Sequence, residues 1–181
     1  MNQNLLIIGA GIYGILAKEI AESMGIFNKI GFVDDHAMRT PDGVPVIGTT
    51  KDLDILSAEY GHVVVAIGNP SVRKRLIRMI EEETSLELEI LISPKAYVAP
   101  SAQLGKGCIL EPMSVVHTGC ILGKGCLVCA GAVVNHASVC GDCVQVDCNA
   151  TVAGNTTVPS DIKITSGMVY RNESFADKKQ I

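Results

Sequence analysis

His136 stands in the run Val133-Val134-Asn135-His136, two residues past an aliphatic position of a repeating pattern and on an outward face, where a core histidine has no place. Eighteen residues on is Gly154. Acyl transfer to an amine or hydroxyl needs a base that titrates near neutrality to take the acceptor's proton as a thioester carbonyl is attacked. A backbone N–H with no side chain in front of it can donate to the thioester oxygen as negative charge develops there. If residues eighteen apart stack, His136 and Gly154 form such a pair. The competing reading of His136 is a surface histidine without a role. His117 can approach the same groove or be a surface turn residue, His36 follows two aspartates and can line a ligand site, and His62 opens a strand and reads as structural.

A second constellation opens the chain. Gly9, Gly11 and Gly14 fit GxGxxG at a strand-to-helix turn, and Asp34 lies twenty residues after Gly14, where a dinucleotide site places its ribose-binding acid. That pattern alone suggests NAD. The region is short for a dinucleotide, with about five strands and no second mononucleotide half. The same turn can hold the pyrophosphate of a nucleotide sugar through backbone N–H groups and the helix N-terminus, which is the favoured reading, and a purely structural turn stays open. Asn69 falls at the tip of the fourth strand, where parallel sheets present ligand-binding groups.

The elements that position these residues divide near Pro94. Before it, strands are expected at Leu5 to Ile8, Lys29 to Val33, Val44 to Ile47, His62 to Ile67 and Leu86 to Ile92. Helices are expected from about Tyr13 to Met24, Lys51 to Glu59 and Ser71 to Glu82. This βαβ rhythm predicts a Rossmann-like parallel sheet covered on both faces over residues 1–94. After Pro94 an aliphatic residue, or once a cysteine, returns every sixth position: Val98, Leu104, Leu110, Val116, Leu122, Val128, Val134, Cys140, Val146, Val152, Val158, Ile164. Four residues after most of these comes a small one. A short strand with a tight turn takes about six residues, and three such units close a coil of about eighteen. Gly105, Gly123 and Gly141 repeat at that larger spacing, with Pro159 next in the column. The prediction is an all-β parallel β-helix over 95–170 and a tail over 171–181. Twelve hexads give four coils, and no further coils are expected after Val158, which makes a short prism.

All seven cysteines lie in the repeat, and Cys126 with Cys129 and Cys140 with Cys143 have zinc-ribbon spacing. The register puts Cys108, Cys120 and Cys126 at the small inward position and Cys140 at the aliphatic one, so the favoured reading is buried thiols and no metal, against a zinc site whose four ligands must converge. The hydrophobic fraction is 48% with no Trp and 4% aromatics, which suits a core of Val, Ile and Leu. A net charge of -4 makes nucleic acid and anionic membrane poor partners. The apolar stretch near the N-terminus lacks a positive leader and is read as folded structure, nothing approaches a membrane span, and the expected place is the cytoplasm.

The GAGIYG turn, FVDD after the second strand, AIGNPSVRKRL after the fourth and coils containing VVNHASVCGD resemble, in this order and over nearly the whole chain, the PglD/NeuD-like sugar acyltransferases. The resemblance implies a left-handed β-helix, a homotrimer, acetyl-CoA as co-substrate and transfer of an acetyl group to the amino group of a UDP-linked amino sugar. It implies His136 as general base, Gly154 as donor to the thioester, and a site at a subunit interface. Asp34 and Asp35 would accept hydrogen bonds from the base or ribose, and Arg73, in an NxxxR pattern with Asn69, would pair a phosphate or else be a solvated helix arginine. The chain departs from the family at Ala137, where an acid usually follows the histidine and for which Asp142 or Asp147 can substitute through space. It departs again at Gln145 and Tyr13, where relatives carry histidine. O-acetylation of a sugar hydroxyl, and a trimer that binds nucleotide sugar without turnover, stand as alternatives.

Overall fold

The computed structural model describes residues 3–172. Five parallel strands form the first sheet: β1 (Asn4–Ile8), β2 (Lys29–Val33), β3 (Val46–Gly48), β4 (His62–Val65) and β5 (Glu87–Leu88), in the order β3-β2-β1-β4-β5. Helix α1 (Ile12–Met24) buries Ala17, Ile20 and Ala21 and ends at Gly25, whose φ of 65° lets its N–H reach the Glu22 carbonyl. Helix α3 (Pro70–Glu83) starts with proline at its first position and an Asn69 cap that accepts from Val72 N–H at 3.1 Å. It buries Arg73, Leu76, Ile77 and Ile80, spaced as one helical stripe. The helix expected over Lys51 to Glu59 is shorter. A 3₁₀ turn at Thr50–Asp52, held by a Thr49/Asp52 capping box, leads into α2 (Leu53–Leu56) only.

The second part is a left-handed parallel β-helix of two-residue strands that stack residue i on i+18, as in Tyr97, Val115, Val133, Thr151 and Val169. The second residue of each strand points inward, and the core holds Leu110, Val116, Val128, Val134, Cys140, Val146, Val152 and Val158 with Cys108, Cys120, Cys126, Ala132 and Ala150. From the third turn of the prism onward each turn contains one left-handed residue, again at spacing six: residues 107, 113, 119, 125, 131, 137, 143, 149, 155, 161 and 167 all have positive φ. Six of these are not glycine, among them Ala137 and Cys143, so the stacked coils impose a conformation that L-residues enter at a cost of roughly 1–3 kcal/mol each. The Gly105 column has a different cause. A Cβ at Gly105 would lie 2.5 Å from the Gly123 carbonyl carbon, because adjacent coils touch backbone to backbone there.

Two expectations are corrected at the ends of the prism. Leu86 to Ile92 is not one strand: β5 belongs to the first sheet, whereas Leu91–Ile92 pairs with Ile109–Leu110 as the first strand of the β-helix. The register also continues past Val158, with Lys163–Ile164 on Gln145–Val146 and Val169–Tyr170 on Thr151–Val152. The short prism is therefore longer at both ends, with fourteen strands from Leu91 to Tyr170. Residues 173–181 of the expected tail lie outside the described residues.

One prism face is covered by the first part of the chain, since Leu91, Ile109 and Leu127 pack with α1 residues Ala17, Ile20 and Ala21. Helix α3 lies along the corner before that face, where Ile77 packs with Cys143. Exposed ion pairs Lys74–Asp161 at 2.7 Å and Lys124–Glu81 at 2.5 Å flank this contact.

Candidate active site

The turn that follows Val133–Val134 carries His136 outward, and the coil below puts Gly154 directly against it. A Cβ at Gly154 would lie 2.8 Å from both Cε1 and Nε2 of His136. The main chain around the histidine is well tied: its N–H donates to Asn135 Oδ1 at 2.8 Å and its carbonyl accepts from Asn155 N–H at 2.9 Å. The Gly154 N–H has no acceptor among the described residues, while its carbonyl accepts from Thr156 Oγ1 at 3.4 Å. An exposed imidazole thus stands beside an uncommitted backbone donor. Neither candidate substitute for an acid at position 137 reaches the ring. Asp142 accepts from Lys124 N–H at another corner of the prism, and Asp147 pairs with Lys163 at 3.2 Å and caps Cys148 N–H. His117 packs edge-on against Tyr97, with ring centroids 6.3 Å apart.

The glycines and aspartates form a second site at the carboxyl ends of β1, β2 and β4, at the point where the strand order reverses. Ile8, Gly9, Asp34, Asp35, Thr50 and Arg75 are among the residues around a cavity of 160 Å³ there. Gly9 has φ 110° and no room for a Cβ, which would lie 2.8 Å from the Ala66 carbonyl oxygen, and a Cβ at Gly14 would strike the Gly9 carbonyl. Gly11 faces open space at the start of α1, with no side chain capping the helix. Asp34 accepts from Ala10, His36 and Ala37 N–H, each at 2.9 Å, and Asp35 accepts from Thr50 N–H and Oγ1, both at 2.8 Å. Partial burial pushes the Asp34 carboxyl up, but the three N–H groups outweigh it and hold it below the usual carboxylate range. A carboxylate depressed in the folded state contributes stability that is present above its unfolded value, about 3.9, and lost as pH falls through the folded value. Thermal unfolding of Asp34→Asn across pH 3 to 7 is therefore expected to show a stability loss that closes toward the acid end, and a loss of constant size at every pH contradicts this.

Arg73 is placed in neither of its expected settings. It is 0% exposed and bonded to carbonyl oxygens, so it is neither a phosphate ligand nor a solvated helix residue. The cation at the cavity is Arg75, exposed and without a partner among the described residues, which the sequence reading passed over. Asn69 spends its side-chain oxygen on the α3 cap. Tyr13 and Gln145, the two histidine replacements, both border Cys129 in a buried cluster with Glu111. Gln145 Nε2 lies 3.9 Å from Cys129 Sγ, and burial followed by the neighbouring Cys129 and Glu111 pushes the Tyr13 hydroxyl up. Of the cysteine pairs, Cys126 and Cys140 are inside the prism, whereas Cys129 lies in this polar cluster and Cys143 against α3, so the four sulfurs do not converge. No contact among the described residues joins the glycine–aspartate site to His136.

The PglD N-terminal domain family matches residues 4–80, and the bacterial transferase hexapeptide (six repeats) family matches residues 101–136. No curated protein matches the chain. Among solved structures, the acetyltransferase domain of PglB from Neisseria gonorrhoeae FA1090, in complex with acetyl coenzyme A, is 31% identical with a TM-score of 0.82, over 92% of this chain and 90% of that one. A mutant of perosamine N-acetyltransferase from Caulobacter crescentus, in complex with CoA and GDP-perosamine, is 25% identical with a TM-score of 0.71, over 93% and 89%. WeeI from Acinetobacter baumannii AYE shares the fold at 20% identity and a TM-score of 0.66, over 91% and 87%. Among the described residues no helix is long and apolar enough to cross a membrane.

Proposed function

The chain belongs to the PglD/NeuD-like, hexapeptide-repeat sugar acetyltransferases, enzymes that use acetyl-CoA and act on nucleotide sugars, and from that premise we propose that it acetylates the amino group of a nucleotide-linked, UDP-type amino sugar with His136 as general base. The observation that carries the reading is the contact of His136 with Gly154. The acceptor nitrogen attacks the thioester carbonyl, His136 takes the proton that nitrogen loses, and Gly154 N–H holds the carbonyl oxygen as it gains charge. Collapse of the tetrahedral species expels the CoA thiolate, which accepts a proton, and leaves the amide.

The nucleotide end belongs at the Gly9–Gly14 turn. Its 160 Å³ cavity is smaller than the roughly 300 Å³ or more of a whole small-molecule site, so it holds one end of the ligand. In this reading the rest of the ligand extends to a second copy of the chain, in a homotrimer with the site between subunits. Two prism faces that flank the His136 turn carry outward hydrophobic side chains, including Ile121 at 42% and Val139 at 38% exposure on one and Tyr97 and Val169 on the other, and these suit a neighbouring prism.

Arg75 is the residue to pair the diphosphate. Arg75→Ala is expected to weaken nucleotide binding about 10- to 100-fold, the value of one or two charge-assisted hydrogen bonds, and to flatten its salt dependence. Calorimetry with UDP and GDP measures this, and unchanged affinity removes Arg75 from the site. The function itself is tested by thiol release from acetyl-CoA with a panel of UDP- and GDP-linked amino sugars, with particle mass determined on the same sample. Release that requires an amino acceptor and His136, from a particle of three chains, is the expected result. Nucleotide binding without any release leaves a binding protein, and release with a hydroxyl acceptor leaves an O-acetyltransferase.

A further inference from the structure

Arg73 is fully buried, and the hydrogen bonds of its guanidinium go to main-chain carbonyls. Nη1 donates to the Ile67 and Gly68 carbonyls at 2.7 and 3.0 Å, Nε to the Gly125 carbonyl at 2.7 Å, and Nη2 to the Cys143 carbonyl at 2.7 Å. Two of these acceptors lie just past β4, on the segment whose Ile67 lines the nucleotide cavity. The other two belong to the prism and are eighteen residues apart, so they mark the two ends of one coil. That coil carries His136.

We propose that Arg73 is a positioning residue for the transfer reaction, a clamp that fixes the nucleotide-binding loop in one orientation to the coil of the catalytic histidine; this rests on the functional reading above. A hydrocarbon of similar volume would fill the seam without desolvating a charge. What the guanidinium adds is a planar fork whose donors have fixed directions, so four carbonyls from the first sheet's loop and the prism are held in one geometry. The apolar seams, Leu91, Ile109 and Leu127 against α1 and Ile77 against Cys143, hold the two parts together without fixing bond directions, and the ion pairs beside α3 are exposed and weakly constraining. Cys143 occupies a left-handed turn position with φ 56°, so its carbonyl is presented to Arg73 by the coil's own turn. The coil is held by its own strand pairing and the loop still runs from β4 to the Asn69 cap of α3, so loss of the clamp is expected to leave both binding surfaces formed and to change their mutual placement.

The test uses Arg73→Met and Arg73→Lys in the full chain. Four quantities are compared with wild type: affinity for UDP or GDP, affinity for acetyl-CoA, kcat at saturating donor and acceptor, and small-angle scattering. For Arg73→Met the expected result is both affinities within about threefold, a fall in kcat of about 10²-fold, the usual effect of misplacing reactants by about an ångström, and a broadened scattering profile. Arg73→Lys, which keeps the charge and some of the bonds, regains part of kcat. Unchanged kcat in a folded variant overturns the proposal, as does a fall in kcat that follows the loss of either affinity, since that is a structural role. If Arg73→Met does not fold, Arg73→Lys alone decides by the same criteria. If wild type binds nucleotide without turnover, the functional reading fails, and scattering decides the clamp: unchanged scattering in the variants overturns it.

Discussion

His136→Asn is expected to lower kcat by about 10²- to 10⁴-fold, the range lost with a general base, while affinity for acetyl-CoA and for the nucleotide sugar stays close to wild type. The imidazole is exposed, its ring has no hydrogen-bond partner among the described residues, and the bonds that shape its turn are made by main-chain atoms and by Asn135. Removing it opens no cavity and strands no polar group, so thermal stability is expected to shift by no more than about 0.5 kcal/mol. Asparagine keeps a polar side chain of similar reach but cannot accept a proton at neutral pH. Thiol-release kinetics with separate binding measurements check the split. A variant with most of its activity excludes His136 as the base, and one that loses activity together with acetyl-CoA binding makes it a binding group.

Gly154→Ala carries the second large effect. Its Cβ would sit 2.8 Å from two atoms of the imidazole, closer than side chains approach, so the ring must swing away while the backbone N–H stays in place. Displacing the base and crowding the thioester oxygen act on the same step, and a loss of about 10²- to 10³-fold in kcat is expected, comparable to deleting one oxyanion donor. Acetyl-CoA binding is expected to weaken as well, because the methyl group faces the space beside His136 proposed for the thioester. Here the double variant is informative. Added to His136→Asn, the alanine is expected to cost much less than alone, since the ring it displaces has already gone, and full additivity would mean that the two residues act independently.

The six-residue register was legible because it is local. A two-residue strand and a four-residue turn repeat along the chain, and each coil faces the same prism interior, so side-chain type returns at fixed spacing from Val98 to Ile164. The contact of His136 with Gly154 followed from that register, since stacking at eighteen is a property of the coil. The ends were harder to read. Leu86 to Ile92 is one apolar run, and its split between two sheets depends on which strands it pairs with, Val63 on one side and Ile109 on the other. The left-handed turn positions also escaped notice: Met113, Ala137, Cys143 and Asp161 share no composition, and stacking imposes their φ.

Arg73 and Arg75 show the same limit within the proposed nucleotide site. In the sequence they are near-equivalent members of an Arg-Lys-Arg run at the start of a helix. Residues two apart in sequence on an α-helix are about 200° apart around its axis, so once α3 lies on the prism, one arginine must face the coils and the other the cavity. Which is which depends on the rotation of α3, and this is set by Leu76, Ile77 and Ile80 packing beneath it.

By itself, the sequence determined what repeats locally: a βαβ sheet with a glycine turn, stacked hexapeptide coils, a histidine beside a glycine one coil away, and cysteines distributed along the prism wall. These follow from backbone periodicity and need no knowledge of distant partners. Only the tertiary structure decided where the prism begins and ends, that Asp34 and Asp35 are bonded to the loops they brace, and that Arg73 is a buried clamp while Arg75 faces the cavity. Each of those depends on long-range packing between elements distant in the chain, where one rotation of a helix or one change of strand partner moves a side chain from solvent to core.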